Sequence, residues 1–244
     1  MTSPTYRRVL LKLSGEVLAE GAAEPFSDQR LRQYAADIQA AHAQGVQIAI
    51  VVGGGNLLRG RTVKTELIRA RTADHMGMLA TIMNGLALRD VLTHLGVPTS
   101  LFSAKAVSGI AAEFDPLHAE AALANGEVVV FAGGTGNPFV TTDSASSLRA
   151  IEVGADIVLK ATNVDGVYAE DPKQNPHAVR YTVLSFADAL SQRLAVMDMA
   201  AFSQCQAHDL PIRVFDIAQP CNLRAALLGE PCGTLVSNQP TEIV

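Results

Sequence analysis

Six of the chain's 19 glycines fall in two short clusters, Gly53-Gly54-Gly55 and Gly133, Gly134 and Gly136, each directly after a short apolar run. Ser14-Gly15 ends a third such run in the same way. Glycine lets a backbone approach an oxyanion closely and leaves N–H groups free to donate, above all where a helix begins. Lys12 lies just before the first of these turns and Arg59 just after the second. A single glycine cluster would read as a tight strand–helix turn. Three at equivalent positions, two with a cation beside them, point to a cradle for a polyphosphate.

The common phosphate and hydrolase signatures are absent. No G-x-x-x-x-G-K-[ST] occurs, so this is not a P-loop kinase. Gly134-Thr-Gly136-Asn-Pro138-Phe139 opens like a dinucleotide fingerprint, but Phe139 stands where the third glycine belongs, which argues against NAD. There is no G-x-S-x-G elbow. Cys205, Cys221 and Cys232 are odd in number with no C-x-x-C spacing, and the six histidines form no H-E-x-x-H pair. Neither a disulfide framework nor a zinc site is expected, which fits a reducing cytoplasm.

Those turns must be held by the elements on either side. Strand candidates are 8–13, 46–52, 97–103, 127–131, 157–160, 211–215 and 234–236, and several are apolar throughout, as parallel strands covered on both faces are. Helical patterns lie between them at about 28–44, 74–95, 116–125, 141–153, 198–209 and 220–229. The alternation predicts an α/β fold, a single three-layer αβα sandwich on a mainly parallel central sheet. No linker or low-complexity tract divides residues 1–244, so one domain is expected. From Met76 to Leu88 the helix carries no charge and is apolar nearly all round. Such a helix is expected to be buried on both sides, either in the core or against another subunit.

Composition sets the limits. Apolar residues make up 48 % of 244 and charged residues 18 %, which excludes disorder, and no disulfide or metal staple is needed at this size. With 19 Lys and Arg against 24 Asp and Glu the net charge is −5, aromatics are 5 % and Trp is absent. That argues against extended nucleic-acid binding. Lys12 interrupts the N-terminal apolar run too early for a signal peptide, and no apolar stretch reaches membrane-span length, so a cytoplasmic protein is expected.

Several segments together resemble the bacterial UMP kinase (uridylate kinase) branch of the amino acid kinase family. They are Lys12-Leu-Ser-Gly-Glu16, Val51-Val-Gly-Gly-Gly-Asn56 with Arg59-Gly60, Asp74-His-Met-Gly-Met-Leu-Ala80 and Thr135-Gly-Asn-Pro-Phe-Val-Thr-Thr-Asp143. Lys160-Ala-Thr-Asn-Val-Asp-Gly-Val-Tyr168 with Asp171-Pro172, and Val196-Met-Asp-Met199, complete the set. The likeness runs from about residue 7 to 236 in the expected order. It implies a single αβα sandwich, with nucleotides at the carboxyl edge of the sheet. The implied reaction is ATP + UMP → ADP + UDP with Mg²⁺.

The resemblance also implies roles. Lys12, Leu13, Ser14 and Gly15 form the first ATP loop, with Lys12 stabilising the transferring phosphoryl oxygens. Gly54 lies toward UMP and Gly55 toward ATP, and Arg59 is a bidentate phosphate partner. Asp74 accepts from both ribose hydroxyls of UMP, although Asp is also favoured as a helix cap. Thr135, Gly136, Asn137, Pro138, Phe139, Val140, Thr141 and Thr142 line the uracil site. Thr162, Asn163 (where many members have Lys), Tyr168 and Asp171 hold adenine and ribose. Asp143 and Asp198 orient Lys12 or act on Mg²⁺ indirectly, with no dedicated metal cage; Asp198 reads equally as a helix-start cap. The family is a homohexamer, inhibited by UTP and activated by GTP. GTP-responsive members usually carry a glycine-rich stretch after the first strand; here Glu20–Ser27 has Gly21 alone. Two other readings remain open: a non-catalytic nucleotide or oxyanion storage or sensor protein of the same fold, and an amino acid kinase with a small-acid acceptor.

Overall fold

The computed structural model describes residues 4–20, 24–58, 67–170, 172, 174–175 and 177–244. Strand β1 (Arg8–Leu13) leads through a 3₁₀ turn (Gly15–Leu18) to α1 (Asp28–His42), and β2 (Gln47–Val52) precedes α2 (Ala70–His94). Then come β3 (Thr99–Ser103), β4 (Ala112–Glu113), α3 (Pro116–Ala124), β5 (Val128–Ala132), α4 (Thr142–Glu152) and β6 (Ile157–Thr162). The rest is β7 (Tyr181–Ser185), α5 (Phe186–Ser191), α6 (Met199–Ala207), β8 (Ile212–Asp216), α7 (Asn222–Leu228), β9 (Thr234–Ser237) and β10 (Glu242–Ile243).

One ten-stranded sheet runs β10-β7-β9-β8-β6-β1-β2-β5-β3-β4. Among the strand pairs of the described residues, β8–β9 and β7–β10 are antiparallel and the others parallel. Strand β1 therefore lies between β6 and β2, and Leu10 and Leu11, neighbours that point to opposite faces, are both fully buried. One core packs β1, β2, β5 and β6 against α1, α2 and α7. The other packs the opposite face against α3, α4, α5 and α6. This is the expected three-layer arrangement.

Side-chain caps start the helices that frame the site. Asp115 accepts the His118 N–H ahead of Pro116 at the first turn of α3, and Thr141 Oγ1 accepts from Asp143 and Ser144 at α4. Two expectations about α2 need correction. It begins at Ala70 rather than Asp74, because Arg71 and Thr72 in its first turn are exposed and leave no apolar period to read. It is also buried on one side only within the chain. Ala80, Ile82, Leu88 and Leu92 face the core, while Met76, Leu79 and Met83 are exposed. The short elements β4, β7, α5 and β10 were outside the expected set; none has a long apolar run.

Candidate active site

Side chains alternate along a strand, so Lys12 shares a face of β1 with Leu10, and Lys160 shares a face of β6 with Val158. Leu10 and Val158 belong to the core beneath α3–α6. Lys12 and Lys160 are also register partners across the two strands. Their ammoniums therefore emerge side by side where α4 begins. Asp143, in the first turn of α4, meets Lys12 with Oδ1 at 3.1 Å and Lys160 with Oδ2 at 2.8 Å. The Lys12, Lys160 and Asp143 side chains are 12 %, 14 % and 16 % exposed. Burial pushes the Asp143 carboxyl up, but the two ammoniums outweigh it and hold it below the usual carboxylate range. Burial also lowers the Lys160 ammonium, and the Asp143 carboxylate offsets only part of that.

Asp198 stands beside this cluster as the N-cap of α6, accepting the Ala201 N–H at 2.9 Å. The hydroxyls of Thr141 and Ser144 donate to the same carboxylate. Burial opposes its charge, yet these donors keep it below the ordinary range. The cap geometry is thus present, and it ties α6 to the start of α4.

The glycine turns stack on one another at the carboxyl ends of β1, β2 and β5. Gly53 donates to the Leu13 carbonyl at 2.8 Å. A Cβ on Gly15 would lie 2.7 Å from the Gly55 nitrogen and 2.8 Å from the Gly53 oxygen, so only glycine fits. Asn84, fully buried on α2, donates to the Gly53 carbonyl at 2.6 Å and pairs its amide with that of Asn56. Thr81, one turn earlier, accepts the Gly133 N–H at 2.6 Å. Helix α2 thereby holds two of the three turns through polar side chains buried in its inner face.

Two cavities open on this edge, one on each side of β1. A cavity of about 370 Å³ over β2 and β5 is lined by Gly54, Gly55, Asp74, Thr135 and Phe139–Thr142, with Met78 and Thr81 of α2. Asp74 lies in the second turn of α2, not at its cap, and its Oδ2 accepts the Phe139 N–H at 2.8 Å. Phe139 takes a positive φ of 68°, an uncommon geometry for a non-glycine residue. Gly136, Asn137 and Pro138 belong to the same loop but not to the lining. Gly55, assigned from sequence to ATP, lines this cavity beside Gly54.

A larger cavity of about 710 Å³ lies over β6 and β8, lined by Asn163, Asp165, Tyr168, Arg180, Asp216 and Asn222 among others. Tyr168 donates its hydroxyl to Asp165 at 2.8 Å, and Arg180 reaches the same carboxylate at 3.3 Å. Thr162 is outside the lining and braces the turn, accepting the Val164 N–H at 3.1 Å. Leu13 is core, and Ser14 starts the 3₁₀ turn without a side-chain cap bond. Arg59, Gly60 and Asp171 lie outside the described residues, as does Gly21.

Lys160, Thr81, Asn84 and Ser144 were missed as site residues. Lys160 had a signal: Leu159-Lys160-Ala161 breaks an apolar strand as Leu11-Lys12-Leu13 does. Among the described residues no three His, Cys, Asp or Glu side chains converge as metal ligands. Both Asp143 oxygens are already held by ammoniums.

A profile described as the amino acid kinase family matches residues 7–216. The chain belongs to the amino acid kinase family. Among relatives of this amino acid kinase, the uridylate kinase of Coxiella burnetii is 50 % identical over 233 residues, 96 % of each chain. That of Aeromonas salmonicida is 49 % identical over 233 residues, again 96 % of each. The crystal structure of UMP kinase from Bacillus anthracis superposes with a TM-score of 0.94 at 39 % identity, covering 98 % of this chain and 99 % of that one. Uridylate kinase from Archaeoglobus fulgidus gives 0.73 at 30 % identity, covering 94 % and 99 %.

Proposed function

We propose that this amino acid kinase transfers the γ-phosphoryl group of ATP to UMP, giving ADP and UDP for pyrimidine nucleotide biosynthesis. The observation that carries the reading is the place of Lys12: on the strand that lies between the two cavities. UMP occupies the cavity over β2 and β5, with Asp74 on its ribose and Thr135 and Phe139–Thr142 around uracil. ATP occupies the cavity over β6 and β8, with Asn163, Tyr168 and Asp171 on adenosine and residues 12–15 toward its phosphates. Gly54, Gly55 and Arg59 serve the phosphates between them.

The attacking atom is itself a phosphate oxygen, ionised at neutral pH, so no side chain has to take a proton from it. Catalysis then reduces to in-line placement and compensation of charge on the moving group. Lys12 supplies that compensation from one side and the turn N–H groups from another. Asp143 fixes Lys12, and Asp198 fixes the start of α4. Mg²⁺ held by the ATP phosphates would neutralise part of their charge.

The family reading extends to a cytoplasmic homohexamer inhibited by UTP and activated by GTP. The exposed apolar stripe Met76, Leu79 and Met83 supports assembly. The test of GTP is turnover with and without it, because the 20–27 stretch departs from the usual glycine-rich form. The main experiment couples ADP release to Mg·ATP with UMP, CMP, dUMP or carbamate as acceptor. Strong UMP preference is expected. Equal turnover with CMP would overturn the acceptor assignment, and ATP binding without turnover would favour a storage protein.

A further inference from the structure

Lys160 is the second ammonium on Asp143, so that this one carboxylate is shared between two cations. Lys12 and Lys160 both contact Asp143, while the next carboxylate, Asp198, balances the second ammonium from a distance and takes its hydrogen bonds from Thr141, Ser144 and the Ala201 N–H. A lone Lys12–Asp143 pair would be neutral, and the carboxylate would draw the ammonium toward itself. With Oδ2 saturated by Lys160, that pull is divided between two cations.

Geometry fixes the division. Lys160 also donates to the Val196 carbonyl at 2.6 Å, so its ammonium is pinned between β6, α4 and the 196–198 segment. Two residues after Val196, Asp198 receives Thr141, and two residues after Thr141 stands Asp143. The bonds close into a ring, and Thr141 is also part of the lining of the smaller cavity. We propose that Lys160 is a positioning residue for phosphoryl transfer: it saturates and orients Asp143, so that Lys12 presents its ammonium to the transferring group. This rests on the kinase reading above.

The test compares the parent chain with Lys160→Gln, which keeps a donor without the charge, and Lys160→Arg, which keeps the charge. In Lys160→Gln, kcat falls about 100-fold or more while the KM values of ATP and UMP move less than about threefold. Lys160→Arg returns kcat to within about tenfold of the parent. A Gln variant within about threefold of the parent overturns the proposal, as does an Arg variant as slow as the Gln one. So does a kcat loss matched by an equal loss of UMP sites counted by calorimetry, which marks a purely structural role. Should Lys160→Gln not fold, a folded Lys160→Arg slower by more than about 100-fold overturns it alone. A parent chain inactive on UMP refutes the kinase reading itself, and shows this before any variant is made.

Discussion

Lys12 meets Asp143 at 3.1 Å, and an ammonium has three hydrogens to donate, so it can hold an anion as well as this carboxylate. Removing it should slow the chemical step far more than binding: Lys12→Ala is expected to lose about 1,000-fold or more in kcat, with UMP binding by calorimetry nearly unchanged. Asp143 and Asp198 give a second prediction, on stability. Both carboxyls lie below the ordinary 3.8 in the folded chain. The unfolded chain therefore takes up more protons as pH falls through that value. The stability they contribute is full above it and is lost as pH descends toward the folded values. Asp143→Asn should lower stability at neutral pH yet flatten the acid limb, read from urea melts between about pH 5 and 2.5. Residues at this scale were legible in sequence when a glycine turn or a familiar segment framed them. Asn84 was not, because its role comes from packing between segments distant in the chain, and Lys160, though it heads a familiar segment, shows its pairing with Asp143 only through strand register.

The elements that carry the site are defined by close approach as much as by burial. A Cβ on Gly54 would lie 2.8 Å from the Gly77 carbonyl and 2.9 Å from the Ala80 Cβ, so α2 can sit against the β2 turn only while position 54 is glycine. Gly54→Ala should push that helix outward, cost about 1–3 kcal/mol and lower Tm, with a rise in the KM for UMP as the smaller cavity deforms. The central strands were readable because each is a short apolar run covered on both faces. Edge strands β4 and β10 were not, since two residues pairing at a sheet margin leave no pattern. The start of α2 was obscured for the opposite reason: its first turn is helical but exposed, so apolar periodicity begins a turn late.

Across the whole molecule, α2 presents Met76, Leu79 and Met83 to solvent at one-turn spacings, with Leu79 57 % and Met83 53 % exposed. An apolar stripe of this kind on a long helix is the surface that the proposed assembly would bury. Leu79→Asp is expected to reduce the solution mass from a multiple of 25.7 kDa toward the single chain, measured by light scattering on a sizing column. The all-round apolar pattern was visible in sequence; which half faces the core follows only from the sheet. The division of the carboxyl edge by β1 has a consequence for how such enzymes diversify. The two cavities share no lining residue among those described, and each is built from its own strands and helix. On the proposed assignment, donor and acceptor are held by separate linings that meet at one strand. Refitting residues 135–140 to another acceptor, with Thr141 kept for its bonds to Asp198 and the start of α4, should leave the KM for ATP where it is, so a lineage could change what is phosphorylated without relearning how to hold the phosphate source.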